Sequence, residues 1–225
     1  MDQYNYTSSD KSRTGLKQII IIISALAVLL VVAVGLFKIS KPKPGADHPV
    51  TFTITDADHV LGSRTAKTVL VEYSDFQCPF CKAAWPNVEQ LHQDFGDSLL
   101  IVYRHFPLPQ HKNSKNAAQA AEAAGKQGKF FEMAKLLFDH QTDWADSLNA
   151  SAQFSDYAQS LSLNHDQFIK DMNSDKVYVH IQNDLAGGNN AGVSGTPTFY
   201  LNGKSIVTPS TYDQFKQLIT QAIPK

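Results

Sequence analysis

Cysteine is almost absent from this sequence, which has only two, Cys78 and Cys81, among 225 residues. There is no second cysteine pair, and the eight histidines contain no H-x-x-x-H motif. A structural zinc site takes about four such ligands, so these absences argue against one. We therefore predict no metal site and no bound cofactor.

Charged residues are also sparse, at 18% of the chain, and the net charge is −1 with no basic block. A nucleic-acid partner is therefore not expected, because nucleic-acid-binding domains carry clustered lysine and arginine. Hydrophobic residues make up 43% of the sequence, so most of the chain is expected to fold. A length of 225 residues allows one sizeable domain and an accessory segment.

Charge is missing altogether from the apolar stretch Ile19–Phe37. A helix rises about 1.5 Å per residue, so this stretch comes close to spanning the ~30 Å core of a bilayer. It predicts a transmembrane anchor over residues 18–37, preceded by a cytoplasmic tail (1–17) and followed by a linker (38–50). A cleaved signal peptide is the alternative, although its apolar region is usually only about 7–15 residues long.

The stretch that carries the chemistry is Val69–Cys81, which reads VLVEYSDFQCPFC. A strand, a turn and a C-x-x-C at the start of a helix are typical of a redox site. Residues i and i+3 share a helix face, so the two sulfurs can meet. Cys78 lies at the helix N-terminus, where the helix dipole favours a thiolate, and Pro79 suits the first helical position. An inert disulfide is the alternative, but so short a loop gains little stability from one.

The apolar pattern predicts a βαβ unit around this motif. Val69–Tyr73 and Ser98–Arg104 read as parallel strands, joined by a helix over Cys78–Asp94. Pro86 should kink that helix or end its first part. Alanine-rich and amphipathic segments then predict an all-helical region over about 113–190.

The C-terminal part predicts a hairpin and a last helix. Gly187–Gly195 is glycine-rich and is expected to be a loose loop. Asn202-Gly203 between two apolar runs is a strong hairpin signal, and a helix should follow over about Thr211–Ala222.

Two weaker predictions concern the residues before the βαβ unit. Thr51–Ile54 is expected to form a short edge strand, and Asp56–Lys67 a loop.

Two separated motifs, Glu72–Cys81 (EYSDFQCPFC) and Gly192–Phe199 (GVSGTPTF), resemble those of membrane-anchored bacterial DsbA-like and BdbD-like thiol–disulfide oxidoreductases of the thioredoxin superfamily. The resemblance covers about Thr51–Lys225. It implies an α/β thioredoxin-like fold with a helical insertion, preceded by the transmembrane helix.

The resemblance also implies roles for individual residues. Cys78 would be the nucleophile and Cys81 the resolving cysteine. Pro197 matches the cis-proline that faces the disulfide, and Thr196 before it would present its backbone to an extended substrate. Glu72 matches the buried acid beneath the site, which exchanges a proton with Cys81.

One departure concerns Pro79-Phe80, the pair between the cysteines, which would also contact substrate. The strongest oxidants of the family carry a histidine where this chain has Phe80. Phe80 supplies no charge to stabilise the Cys78 thiolate, which makes the disulfide less oxidising.

The implied function is disulfide introduction into reduced or misoxidised exported proteins, with reoxidation by a membrane partner of the DsbB or VKOR type. The domain would face the extracytoplasmic side of the cell membrane on a single-pass anchor, since disulfides form there. A reductase or isomerase using the same pair is the alternative. A metal-delivery protein is a further alternative, with His105, after the second strand, as the candidate for a third ligand.

Overall fold

The computed structural model of the chain describes residues 22–26, 29 and 49–224. Residues 22–26 and 29 are helical. The fold described below belongs to the compact unit Asp47–Lys225.

A five-stranded mixed sheet forms the centre of that unit. Its strands are β1 (His59–Leu61), β2 (Thr68–Ser74), β3 (Leu99–His105), β4 (Thr198–Leu201) and β5 (Lys204–Ile206). Their spatial order is β1-β3-β2-β4-β5. The central pair β2 and β3 is parallel, whereas the other three pairings are antiparallel. The predicted βαβ unit and hairpin are therefore confirmed.

Eight α-helices surround this sheet in the described part of the unit. They are α1 (Pro79–Phe95), α2 (Ser114–Gly125), α3 (Phe130–Asp139), α4 (Gln141–Trp144), α5 (Ala150–Ser160), α6 (His165–Met172), α7 (Asp175–Ala191) and α8 (Tyr212–Ala222). Helices α2 to α7 form the helical insertion between β3 and β4. A short 3₁₀ turn, Gly96–Ser98, joins α1 to β3.

Alternating side chains divide β2 between two apolar clusters. Leu70 packs with residues of α1, the helical insertion and α8, including Trp85 and Phe215. Val71 and Tyr73 pack on the opposite face with Phe106. Glu72 follows the direction of Leu70 and so points toward α1.

The predictions for the residues before β2 were wrong. Residues 51–54 form no strand, whereas β1 lies inside the segment Asp56–Lys67 that we expected to be a loop. The Phe52 ring lies on a face of the sheet instead, 5.1 Å from the Tyr200 ring. Strand β1 is only three residues long, and it forms by pairing with β3 rather than through a pattern of its own.

Pro86 does not end α1, which continues through it to Phe95. Pro86 lies on the exposed side of the helix, where water can satisfy the Lys82 carbonyl that has lost its donor.

The glycine-rich segment begins as helix, not as a loop. Helix α7 continues to Ala191, and only Gly192, with φ 87°, ends it in the left-handed region. A Cβ at Gly188 would lie 2.6 Å from Phe106 Cδ2. Gly188 is therefore required for close packing of α7 against the sheet.

The predicted anchor over residues 18–37 lies largely outside the described residues. Among the residues that the structure describes, no helix is long and apolar enough to cross a bilayer.

Candidate active site

Helix α1 begins directly after Cys78, which is its N-cap residue. The chain reaches this point through a turn closed by the Cys78 N–H, which donates to the Asp75 carbonyl at 3.0 Å. Cys81 lies in the first turn of α1 and is fully buried. Both thiols are free in the structure.

The two thiols have opposite electrostatic environments. The pKa of Cys78 is lowered to about 6, mainly by a hydrogen bond from Cys81, and contacts with Thr196 and the N–H groups of Cys81 and Phe80 act in the same direction against burial. The pKa of Cys81 is raised well above its usual value by burial, by the bond to Cys78 and by the Glu72 charge. At neutral pH the pair therefore carries its negative charge on Cys78.

Glu72 lies on β2 opposite Tyr103 of β3 and Phe199 of β4, and it is 1% exposed. Burial raises its pKa to about 7, with a further increase from the Cys78 charge, while nearby Ser74 lowers it in part. Neither carboxyl oxygen has a partner at hydrogen-bonding distance and angle. Such a carboxyl can release or take up a proton near neutral pH.

Thr196 and Pro197 face the cysteine pair from the loop before β4. The peptide bond between them is cis. Cys78 Sγ lies 3.2 Å from the Thr196 carbonyl oxygen, to which it donates a hydrogen bond when the thiol is protonated, so these two segments are in direct contact. The Thr196 hydroxyl is buried and has no hydrogen-bond partner among the described residues.

A groove of about 420 Å³ lies beside this contact. It is lined by Phe80, Ala83, Ala84, Asn87, Thr196, Pro197, Thr208, Pro209 and Ser210. Phe80 is 73% exposed, and Pro79 is exposed beside it. The groove thus offers an apolar side chain and a backbone segment next to Cys78.

Asp75 holds the turn before the cysteines and was missed in the sequence. Its carboxylate accepts hydrogen bonds from the N–H groups of Gln77 (2.8 Å) and Leu108 (2.9 Å), from His111 Nδ1 (2.7 Å) and from the Ser114 hydroxyl. Its own N–H donates to Cys81 Sγ at 3.5 Å. A polar residue between strand and helix was a weak signal, because three of its four donors follow 33 to 39 positions later.

Gln141 supports the same turn from the helical insertion. Its side-chain amide donates to the carbonyls of Phe76 (2.6 Å) and Cys78 (3.0 Å), and it is buried. Nothing in the local sequence around Gln141 indicated this contact.

We expect Asp75→Ala to lower the free energy of unfolding by about 3 kcal/mol, because four buried or part-buried donors would lose their acceptor. Urea unfolding measures the change, with Asp156→Ala, at an exposed carboxylate, as the control expected to stay within about 0.5 kcal/mol of wild type. Equal effects of the two substitutions would contradict the structural role of Asp75.

The sequence matches a family model described as thioredoxin over residues 54–221. This match covers more than half of the chain, and the chain therefore belongs to the thioredoxin family.

Solved structures with the same architecture support the fold. A thioredoxin-like oxidoreductase from Silicibacter pomeroyi DSS-3 is 27% identical, with a TM-score of 0.63 over 75% of this chain and 93% of that one. BdbD from Bacillus subtilis is 23% identical, with a TM-score of 0.67 over 79% of this chain and 99% of that one. The thioredoxin-like fold with a helical insertion is thus confirmed.

The sequence also resembles part of a longer protein from Mycobacterium sp. (strain KMS), named Na(+)/H(+) antiporter NhaA 1. The two are 39% identical over 204 residues, which is 87% of this chain but 31% of that protein. The chain therefore spans about a third of this relative, and the antiporter name describes that whole protein.

Proposed function

We propose that the protein is a thiol–disulfide oxidoreductase that works through the Cys78–Cys81 pair. The observation that carries the proposal is the asymmetry of the two thiols. Cys78, at the helix N-terminus, has a pKa lowered to about 6, whereas the pKa of buried Cys81 is raised. Cys78 is thereby suited to be the attacking and leaving thiolate in disulfide exchange. Cys81 is suited to resolve the mixed disulfide.

The direction we propose is oxidation of substrate. A lowered pKa of Cys78 stabilises the reduced form of the pair, and a stabilised reduced form makes the disulfide a better oxidant. Phe80 limits this effect, because it brings no positive charge to the thiolate. We therefore place the protein between thioredoxin and the strongest DsbA-type oxidants, with a reductase as the competing assignment.

Exchange would proceed in two steps. A substrate thiolate attacks the Cys78 sulfur of the oxidised pair, which forms a mixed disulfide and expels Cys81 as the leaving thiolate. A second substrate thiolate then attacks the substrate sulfur of that mixed disulfide and expels the Cys78 thiolate. The substrate gains a disulfide, and the two electrons remain on the protein as the reduced pair.

Glu72 would supply the proton that the leaving Cys81 thiolate needs. With a pKa of about 7, its carboxyl is substantially protonated at neutral pH. The pKa of Cys81 is well above that value, so the transfer runs downhill to sulfur. In reoxidation, the same carboxylate would take the proton back.

The substrate would lie in the groove between Phe80 and Pro197. An extended peptide there could use the backbone at Thr196, while Phe80 and Pro79 contact its apolar side chains. Thr196 and Pro197 are thus assigned to substrate positioning.

The test is oxidation of a reduced peptide that carries two cysteines by one equivalent of the oxidised full chain. We expect the peptide to acquire an internal disulfide while Cys78 and Cys81 become thiols, as counted by alkylation and mass spectrometry. A peptide that stays as reduced as in buffer alone would refute the proposal.

We expect Phe80→His to lower the pKa of Cys78 and raise the reduction potential. A cation beside a thiolate lowers its pKa by about one unit at an exposed position such as this, equivalent to about 30 mV. Equilibration with glutathione buffers at pH 6 measures the shift, which should shrink at pH 8 where histidine is neutral. The neutral control Phe80→Gln should lack this pH-dependent shift, and a shift shared by both variants would count against the electrostatic cause.

The cellular setting is a further part of the proposal. The uncharged stretch at 18–37 would anchor the chain in the membrane, with residues 1–17 in the cytoplasm, 38–50 as a linker and 51–225 outside. Reduced exported proteins would be the substrates, and a DsbB-type or VKOR-type membrane protein the electron acceptor. An impermeant thiol reagent should label Cys78 in intact, reduced cells, and labelling only after lysis would overturn this orientation.

A further inference from the structure

Three histidine side chains converge on one carboxylate outside the candidate active site. Glu122 of α2 is buried, and its Oε1 lies 2.7 Å from His59 Nε2 of β1 and 2.8 Å from His105 Nε2 of β3. His180 Nε2 of α7 lies 3.4 Å from the same oxygen. None of these side chains has a role in the proposed disulfide exchange.

The hydrogen bonds of this group are incomplete. A carboxylate oxygen accepts well from about two donors, and His59 and His105 already take those positions on Glu122 Oε1. His180 Nε2 is left at 3.4 Å from this oxygen and 3.8 Å from Asp184 Oδ2. Both distances are longer than a good hydrogen bond. His180 Nε2 therefore lies near the Glu122 carboxylate without forming a good hydrogen bond to it.

The ligand atoms of His59, Glu122 and His180 all lie within 4.8 Å of one another. In a tetrahedral zinc site, metal–ligand bonds of about 2.0–2.2 Å separate neighbouring ligand atoms by roughly 3.3 Å. The three groups therefore need only small side-chain movements to meet that spacing. Two imidazoles and a carboxylate suit a zinc-class ion, whereas Ca²⁺ and Mg²⁺ take mainly oxygen ligands.

The surroundings hold these ligands in place. The His59 ring stacks on Phe130 at a centroid distance of 3.5 Å. A Cβ at Gly125 would lie 2.8 Å from His59 Cε1, so glycine leaves the room that the ring occupies. His105, which is 1% exposed, donates a hydrogen bond to the Glu122 carboxylate. It would thus hold this ligand in place without binding the ion itself.

The site also has an entrance. The side chains of His59 and His180 are 18% and 22% exposed, while Glu122 beneath them is 7% exposed. An ion can therefore reach the two imidazoles from solvent and bind the carboxylate at the base.

We propose that His59, Glu122 and His180 bind a divalent ion of the zinc class, with the remaining coordination position open to water. The ion would accept the Nε2 lone pairs, so protons on these nitrogens leave or move to Nδ1. It would join β1, at the edge of the sheet, to α2 and α7 of the helical insertion. The role is structural, and it is independent of the cysteine pair.

Calorimetric titration of the metal-free full chain with ZnCl₂ tests the proposal, with Cys78 and Cys81 held as a disulfide so that thiolates cannot bind. We expect one ion per chain and a higher thermal midpoint with zinc than without. His180→Ala should weaken binding by more than about tenfold, because loss of even an outer partner costs that much. His165→Ala is the matched control, because it removes an exposed imidazole that also faces an aspartate. It should bind like wild type.

Two results would overturn the proposal: no saturable binding by the oxidised wild type, or equal affinities of wild type and His180→Ala. Glutathione reduction of the Cys78–Cys81 disulfide at the wild-type rate checks that each variant is folded. A measurement on the wild type alone is the spectrum with Co²⁺. It should show d–d bands of four-coordinate cobalt without a sulfur charge-transfer band, and a spectrum of octahedral aqueous cobalt would contradict the site.

Discussion

Cys81→Ser should accumulate a stable mixed disulfide through Cys78 when the protein is mixed with a disulfide-bonded peptide, whereas Cys78→Ser should accumulate none. With a pKa of about 6, Cys78 is about nine-tenths thiolate at pH 7, while Cys81 is buried and its pKa is raised. The thiolate is the attacking species, so the two variants should differ by at least about 100-fold in the rate of adduct formation. Non-reducing electrophoresis and mass spectrometry measure the adduct.

The two variants serve as controls for each other, because each retains one thiol in the same turn of α1. In wild type the adduct should be transient, since Cys81 is present to resolve it. Equal trapping by both variants would show that the assigned roles of Cys78 and Cys81 are wrong.

Glu72→Gln should make the reduced protein more stable above neutral pH while it slows the chemistry. The folded-state pKa of Glu72 is about 7, above its unfolded value of 4.5. The stability that belongs to the protonated form is therefore fully present below pH 4.5 and is lost as pH rises toward 7. Ionisation of Glu72 should lower the free energy of unfolding of wild type by about 3 kcal/mol between pH 4 and pH 8. The variant should lack this decrease.

Urea unfolding of the reduced protein between pH 4 and pH 8 measures this difference. Glu89→Gln on α1, a glutamate that is not fully buried, is the matched control. The part of the difference from wild type that changes with pH should be larger for Glu72→Gln than for Glu89→Gln. If the Glu72→Gln difference is constant over this range, the carboxyl does not have the raised pKa that we infer.

The same variant should oxidise a reduced peptide about 10²-fold more slowly in a single turnover, because the leaving Cys81 thiolate has lost its proton donor. A gain in stability together with a loss of rate separates a chemical role from a packing role. An unchanged rate would leave Glu72 as a buried charge without a function in exchange.

The parts of the fold that were predictable depend on local sequence. The C-x-x-C after an apolar strand and the Asn202-Gly203 turn each act within a few residues. The residues that determine a turn or the start of a helix are neighbours in the chain. These features can therefore be predicted from one sequence.

The parts that were missed depend on tertiary contacts. Strand β1 has no pattern of its own and exists because β3 offers its edge. Gly188 looked like part of a loop because the closeness of Phe106 is invisible in the sequence. Asp75 and Gln141 hold the active-site turn through partners far along the chain.

The His59, Glu122 and His180 group illustrates the same limit. Its members come from a strand and two helices, so no ligand spacing appears in the sequence, and we predicted no metal site there. Sequence periodicity predicts helices and strands, but it does not predict which side chains from distant elements lie close together.

The reduction potential of the Cys78–Cys81 couple, measured on the full chain against glutathione buffers, tests the central claim most directly. The reduction potential is about −270 mV for thioredoxin and about −120 mV for DsbA. Interpolation between these two values by the pKa of the attacking cysteine gives roughly −230 mV for a pKa of about 6. A value between the potentials of thioredoxin and DsbA would support an oxidase. A value at or below about −270 mV would contradict it, and would mean that the pair donates electrons to its substrates.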